Sequence, residues 1–258
     1  MPRPVLIKIA PADPGRTPRP AELCEALRQA ILLGEYPFGS RLKIDEIARR
    51  FGVSHMPVRK VLLQLEGEQL VTTTPNRGAS VRAVDVDFAG NTYDIVIPLE
   101  ALLTRRAAER MTPAILERLA AAEATLEAAA AAHDHDQVIA TNVRFHQIIN
   151  EHARNPEAAR IVNRSQELLR AFRRTYGFDA MRVPGMIADH RSLLRAFSDR
   201  DADGAAAVAA GHAAKARGDL LATIRAGGHQ AAPPEARPPL TRRCVSASKI
   251  DPLSGVRP

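Results

Sequence analysis

Tryptophan is absent from this 258-residue chain, and aromatic residues of all kinds make up only 4% of it. Strands draw on aromatic and β-branched side chains, so a β-sandwich is disfavoured and a mainly helical protein is expected. Cysteine is almost lacking as well. Cys24 and Cys244 lie near opposite ends, which excludes a disulfide framework and makes a reducing compartment the default. No run of about 18 apolar residues occurs, so no transmembrane helix is expected. Residues 1–19 hold no apolar stretch long enough for a signal peptide, and proline interrupts them repeatedly. A cytoplasmic protein with no membrane partner is the expectation.

Positive charge, by contrast, is in excess. The net charge is +7, and it is unevenly spread. Residues 1–84 hold 13 Lys/Arg and 8 Asp/Glu, residues 85–226 hold 18 and 19, and residues 227–258 hold 5 and 2. The first segment can therefore attract a polyanion, while the middle one is nearly neutral. Both ends are rich in Pro, Gly and basic residues. We expect a disordered arm over 1–19, a first domain over 20–84, a second over 85–226 and a disordered basic tail over 227–258.

The first domain reads as three helices and two short strands. Pro20 opens a helix with Leu23, Ala26, Leu27, Ala30 and Ile31 on one face, and Gly34 ends it. A second helix is expected over Ile44–Phe51, stopped by Gly52. Ser54 can cap a third, with Pro57 in its first turn and Val58, Val61, Leu62 and Leu65 buried. A short helix, a tight glycine turn and a longer helix make a helix-turn-helix. The second helix of such a pair enters the major groove with its N-terminal residues at base edges, here Ser54, His55, Met56 and Arg59. Two strands around 70–74 and 79–82 flank Pro75-Asn76-Arg77-Gly78, a hairpin turn that can serve as a wing. Arg41 and Lys43 are candidate phosphate contacts. A helical packing domain with no DNA role is the alternative for this region.

Residues 85–226 read as successive helices over Val86–Met111, Pro113–His133, Gln137–Arg154, Pro156–Tyr176, Pro184–Asp199 and Asp201–Ile224. Pro98 is expected to kink or break the first. Short connections imply an antiparallel bundle. Asn142 and His146 lie four apart on one helix, His190 on a second and His212 on a third. Facing helices can gather such residues around a divalent metal, and imidazole suits zinc or nickel among others. Each histidine could equally be an ordinary core or surface residue. The enzymatic reading of such a site is a metal-dependent hydrolase, with Asp189 or Asp94 as base, but no catalytic motif surrounds either. The chain is expected not to be an enzyme.

Two resemblances sharpen these expectations. The run from Gly34-Glu35-Tyr36-Pro37-Phe38-Gly39 through Glu46-Ile47-Ala48, Phe51-Gly52-Val53-Ser54, Pro57-Val58-Arg59 and Leu65-Glu66 to Pro75-Asn76-Arg77-Gly78 resembles the winged helix-turn-helix of the GntR family of bacterial regulators. That resemblance implies that Arg59 touches DNA and that Asn76-Arg77-Gly78 is the wing tip. It also implies a homodimer on a pseudo-palindromic operator, more often a repressor than an activator. His55-Met56 stands where the family commonly has Arg-Thr, so the operator sequence read can differ. Asn142-Val143-Arg144-Phe145-His146, Asn155-Pro156, Asp189-His190, Asp199-Arg200-Asp201 and His212 resemble the FadR C-terminal, or FCD, ligand-binding domain. That implies a metal held by Asn142, His146, His190 and His212 and a small organic or sugar acid as effector. Val96 stands where many members have an arginine facing the ligand carboxylate, which leaves Arg144 or Arg173 as the candidate partner. A regulator that responds to the metal ion itself shares every one of these residues and is the alternative.

Overall fold

The computed structural model describes residues 18–74, 78–176 and 180–228. The expected disordered ends, from 1 to 17 and from 229 to 258, lie outside the described residues, as do Asn76 and Arg77 of the wing tip.

The first 65 or so described residues form α1 (Pro20–Leu32), β1 (Arg41–Leu42), α2 (Ile44–Phe51), α3 (His55–Gly67), β2 (Val71–Thr74) and β3 (Gly78–Val81). Gly52 adopts φ +65 after α2, a left-handed turn that an L side chain would resist, and so sets the angle between α2 and α3. Ser54 occupies the N-cap position of α3, yet its side chain makes no capping hydrogen bond, contrary to expectation. The strands form an antiparallel sheet in the order β1-β3-β2, with Thr72 opposite Ser80 and Arg41 opposite Ser80 on the other side. β1 escaped sequence analysis because two residues carry no periodicity. Glu66 of α3 accepts a hydrogen bond from the Thr73 backbone N–H at 2.9 Å and another from its hydroxyl, pinning the hairpin to the helix.

Six longer helices follow: α4 (Val86–Ala108), α5 (Pro113–Ala131), α6 (His135–His152), α7 (Pro156–Tyr176), α8 (Val183–Ser198) and α9 (Ala202–Thr223). Side-chain caps start four of them. Asp85, Thr112, Asp134 and Asp201 accept from Phe88, Ile115, Gln137 and Gly204 backbone N–H groups. Pro98 does not break α4, which runs through it. Its ring lies on the exposed side of the helix, where water can satisfy the freed Asp94 carbonyl.

α4 packs on α9 and α7, and α5 packs on α6 and α8. One buried cluster spans the whole first region and continues into the bundle. It joins Leu23, Leu27, Ile31 and Leu65 to Tyr93, Val96, Leu169, Phe172 and Leu220. Phe38 packs on Phe172 at a centroid distance of 5.7 Å and on Tyr176 at 6.1 Å, and Arg28 bridges Glu68 of the head and Glu167 of α7. Thus α7 touches the reading head with one side while its other side lines the bundle interior.

Candidate nucleic-acid interface and metal centre

The outer face of α3 carries the residues expected at base edges. Ser54, His55, Met56 and Arg59 are all exposed, and the Met56 side chain stands 61% exposed, a thioether with nothing to cover it. His55 Nε2 lies 3.1 Å from Asp45 Oδ1 of α2. Arg59 makes no ion pair among the described residues. Glu35, one partner it could have taken, is held by Arg50, and Glu66, the other, by Thr73. Arg41 extends from β1 alongside Gly78, whose φ of +81 opens β3. Lys43, at the N-cap of α2, pairs with Glu46 at 2.7 Å and stays solvated. These side chains are all exposed to solvent.

The bundle brings the three expected histidines together. His146 from α6, His190 from α8 and His212 from α9 have ring centroids 5.1–5.4 Å apart. One nitrogen from each lies within 4.8 Å of the others. Asn142, one turn before His146, lines the same cavity, and its buried Oδ1 has no hydrogen-bond partner among the described residues. His190 Nε2 is likewise buried and unpartnered. Two orphaned lone-pair donors beside two more imidazoles are what a divalent cation would satisfy.

Residues outside this group orient the rings. With its proton on Nδ1, His190 donates to Glu123 Oε2 at 2.6 Å, which leaves Nε2 free as a ligand. Both residues are buried, and Phe145 stacks on the His190 ring at 4.2 Å with planes 7° apart. His212 donates from Nδ1 to Asp189 Oδ2 at 3.3 Å, and Lys215 holds the other Asp189 oxygen at 2.7 Å. These contacts hold the Asp189 carboxyl down at about 2, led by the His212 hydrogen bond. Burial pushes the His146 imidazole well below its usual range, helped by His212 and His190. Burial also lowers His212 to about 4, against the opposing pull of Asp189. Neutral imidazoles at pH 7 are the form that binds metal.

A cavity of about 60 Å³ adjoins the cluster. Arg170, Arg173 and Arg182 line it together with Tyr93, Glu100 and Gln166. Arg173 donates to the Tyr93 hydroxyl at 2.7 Å and to the Ala216 carbonyl at 2.8 Å. Arg182 pairs with Asp219 at 2.7 Å. Arg144 is not there: half exposed, it turns outward to Glu151 at 3.4 Å. The reason is helical geometry, since a residue two places from Asn142 and His146 lies on the opposite side of α6. Sequence analysis missed Glu123, Glu100, Arg170 and Arg182. Glu123 had a legible signal, because Leu119, Glu123 and Leu126 fall on one helical face, which puts an acid where an apolar residue is due.

The buried groups make the metal-free protein acid-sensitive. In the unfolded chain His146 and His212 protonate near pH 6.5, whereas folded they resist protonation. Below that pH the unfolded state binds more protons, so stability falls as pH falls, for His212 down to about pH 4. Burial pushes Glu100 up to about 7, and this works oppositely: its contribution is present below about pH 4.5 and is lost as pH rises to 7. Each group acts with a slope of about 1.4 kcal/mol per pH unit, and two histidines outweigh one glutamate. Urea unfolding of chelator-treated protein should show a lower midpoint at pH 5 than at pH 6.5. A midpoint that rises would contradict this balance.

Comparison with known proteins follows the same division of the chain. The model for bacterial regulatory proteins of the gntR family matches residues 21–81, and that for the FCD domain matches residues 91–215. The chain is 23% identical over 192 residues to the uncharacterized HTH-type transcriptional regulator YdhC of Bacillus subtilis, covering 73% of this chain and 85% of that protein. It is 26% identical over 200 residues to the galactonate operon transcriptional repressor of Escherichia coli, covering 69% and 86%. Among solved structures, E. coli McbR/YncC superposes with a TM-score of 0.64 at 21% identity, over 79% of this chain and 97% of that one.

Proposed function

The chain belongs to the GntR family of bacterial transcription regulators and carries its FCD domain, and from this we propose that it is a dimeric repressor released from operator DNA by a small organic acid bound beside a divalent metal. It is a DNA-binding regulator and not an enzyme. Of the two carboxylates considered as a hydrolytic base, Asp189 is engaged by His212 and Lys215, and Asp94 by Arg217 at 2.9 Å.

The observation that carries the effector reading is the pairing of two features in one cavity. Asn142, His146 and His212 share its lining with Arg170, Arg173 and Arg182, and His190 completes the histidine cluster; an amide and imidazoles bring no anionic ligand to such a site. A metal in that donor set, zinc or nickel by its chemistry, would supply uncompensated positive charge that favours an anionic ligand. The arginines add to the same preference and would be superfluous if the ion alone were the signal. The name of the galactonate operon repressor accords with repression. Pairing of two bundles would set the two reading heads on successive major grooves of a pseudo-palindrome, about 34–36 Å apart. Ile95 and Leu102, exposed two turns apart on α4 on either side of Pro98, offer an apolar surface for that pairing.

Helix α7 is the physical link between cavity and DNA. Arg170 and Arg173 line the cavity, while Phe172, Tyr176 and Glu167 hold the head. An acid that draws the two arginines inward favours one seating of α7, and with it one seating of the head. An operator titration tests the reading. Metal-loaded protein should lose about 5–150-fold in DNA affinity when an acid binds. Indifference of DNA affinity to every acid that binds the protein would overturn the switch. Metal-free protein compared with metal-loaded protein, without acid, separates the metal-sensing alternative.

The link itself can be cut. Phe38→Ala removes the ring that packs on Phe172 and Tyr176. We expect operator affinity without acid to change little, while the acid-induced loss shrinks by roughly 2–30-fold. Full retention of the acid response in this variant would place the coupling elsewhere.

A further inference from the structure

An acid stands beside the residue that opens α3, where DNA contact calls for cations. α2 begins Ile44-Asp45-Glu46, and acids in a first turn suit the positive end of a helix. Glu46 is taken by Lys43 at 2.7 Å. Asp45 instead reaches across the Gly52 turn, and His55 Nε2 lies 3.1 Å from its Oδ1. A carboxylate only accepts, so the imidazole is the donor. This is the one ion pair that either residue makes among the described residues. The Asp45 side chain is 75% exposed and that of His55 58%. Asp45 Oδ2 makes no hydrogen bond to any described residue, so it can take a donor from outside. Phosphates repel a bare carboxylate, and the His55 N–H offsets part of that cost at one oxygen. The other oxygen gains only from a group that donates. On major-groove base edges those groups are cytosine N4 and adenine N6, whereas guanine N7 and O6 and thymine O4 are acceptors.

We infer that Asp45 determines part of the operator sequence: its Oδ2 accepts a hydrogen bond from the amine of a cytosine or adenine, while His55 orients the carboxylate instead of reading a base itself. The inference rests on α3 entering the major groove, and adds a reader from α2 and the class of base it reads. It also supplies a rejection, because guanine or thymine at that place would set acceptor against acceptor.

Selection from a random duplex library with the full-length protein supplies the operator, and titration of each variant against it and its single-pair substitutions is the test. At one position in each half-site the wild type should take cytosine or adenine on the strand read, and guanine there should cost about 5–150-fold. Asp45→Ala should bring that cost below about threefold. Its affinity for an unrelated duplex should be equal or higher, since a negative charge has gone. Asp45→Asn separates a base contact from a structural one. With its Oδ1 still accepting from His55, the amide presents NH2 where Oδ2 stood, so the preference should turn toward guanine or thymine. A merely structural pair would leave base preference unmoved in both variants. His55→Ala should keep the preferred base but lower the guanine cost by about 2–12-fold, the worth of one hydrogen bond. Both side chains are exposed, so all three variants should unfold at the wild-type midpoint. A guanine cost unchanged in both Asp45 variants overturns the role of Asp45 and leaves the orientation of α3 standing. Guanine or thymine as the wild-type choice at the position that Asp45 controls overturns the acceptor. An undiminished preference in His55→Ala removes the orienting role of His55. Failure of the wild type to enrich any duplex overturns the reading of the head itself.

Discussion

The His190→Ala variant should lose its metal and, even before metal is added, about 3–5 kcal/mol of stability. The two losses have separate physical origins. His190 is fully buried, with Phe145 stacked at 4.2 Å on one face. Removing the ring leaves a void against Phe145, and the cost of truncating a buried aromatic is of this size. It also strands Glu123, whose Oε1 already has no partner among the described residues and whose Oε2 bonds to His190 Nδ1. The metal loss has a different cause, because one of three imidazole donors is gone. Affinity should fall by more than the 10–100-fold typical when only an orienting partner is removed. Glu123→Gln tests that smaller effect. It keeps a polar group near His190, so it should cost less stability yet still weaken zinc binding within that 10–100-fold range. Competition against a chelator measures the affinities, and urea unfolding of chelator-treated protein measures the stability. Wild-type zinc affinity in His190→Ala would show that the ion, if bound, sits somewhere other than among these helices.

How far such a site can be read from sequence depends on which physical signal each part leaves. Asn142 and His146 were legible because a spacing of four places two donors on one helix face. His190 and His212 were legible as a set only through resemblance, since nothing local says which helices face each other. Helix starts at Pro113 and Pro156 and the stop at Gly52 were plain, because proline and a left-handed glycine restrict the backbone whatever surrounds them. Pro98 misleads for the complementary reason: its cost depends on whether the freed carbonyl meets water, which is a property of the packed bundle. Arg144 lies between the two ligands in sequence, and helical geometry alone argues against it. Arg170 and Arg182 had no such signal. Their role follows from α7 and the segment before α8 converging on a cavity that α4, α6 and α9 complete. The orienting acids differ again: Asp189 sits beside a ligand in sequence, while Glu123 comes from α5 and reaches His190 only through the tertiary fold.

Loss of the Arg59 guanidinium should damage DNA binding more than any other single change in the reading head. Ser54, His55, Met56 and Arg59 crowd the exposed start of α3, but His55 is drawn to Asp45 and Met56 has no charge. Arg59 alone of the four joins a full positive charge to a planar fork of donors, the shape that fits two acceptors on a guanine edge. Its two obvious intramolecular partners are taken by Arg50 and Thr73, so it need not break an ion pair to reach DNA. One such contact contributes about 1–3 kcal/mol. The proposed dimer on a pseudo-palindrome would make it twice, so Arg59→Ala should weaken operator binding by about 2–6 kcal/mol, or roughly 30-fold to 10⁴-fold. The nature of the contact shows in the second readout. If Arg59 reads a base, substituting that base pair in both half-sites should cost the wild type dearly and the variant little, with the salt dependence nearly unchanged. If it meets only phosphate, the loss should be uniform across operator sequences, and the salt slope should drop by about 1 per contact. The side chain is exposed, so zinc content and unfolding midpoint should match wild type. Undiminished operator affinity in Arg59→Ala would mean that the duplex is gripped by another face of the head, and the orientation of α3 in the major groove would have to be abandoned.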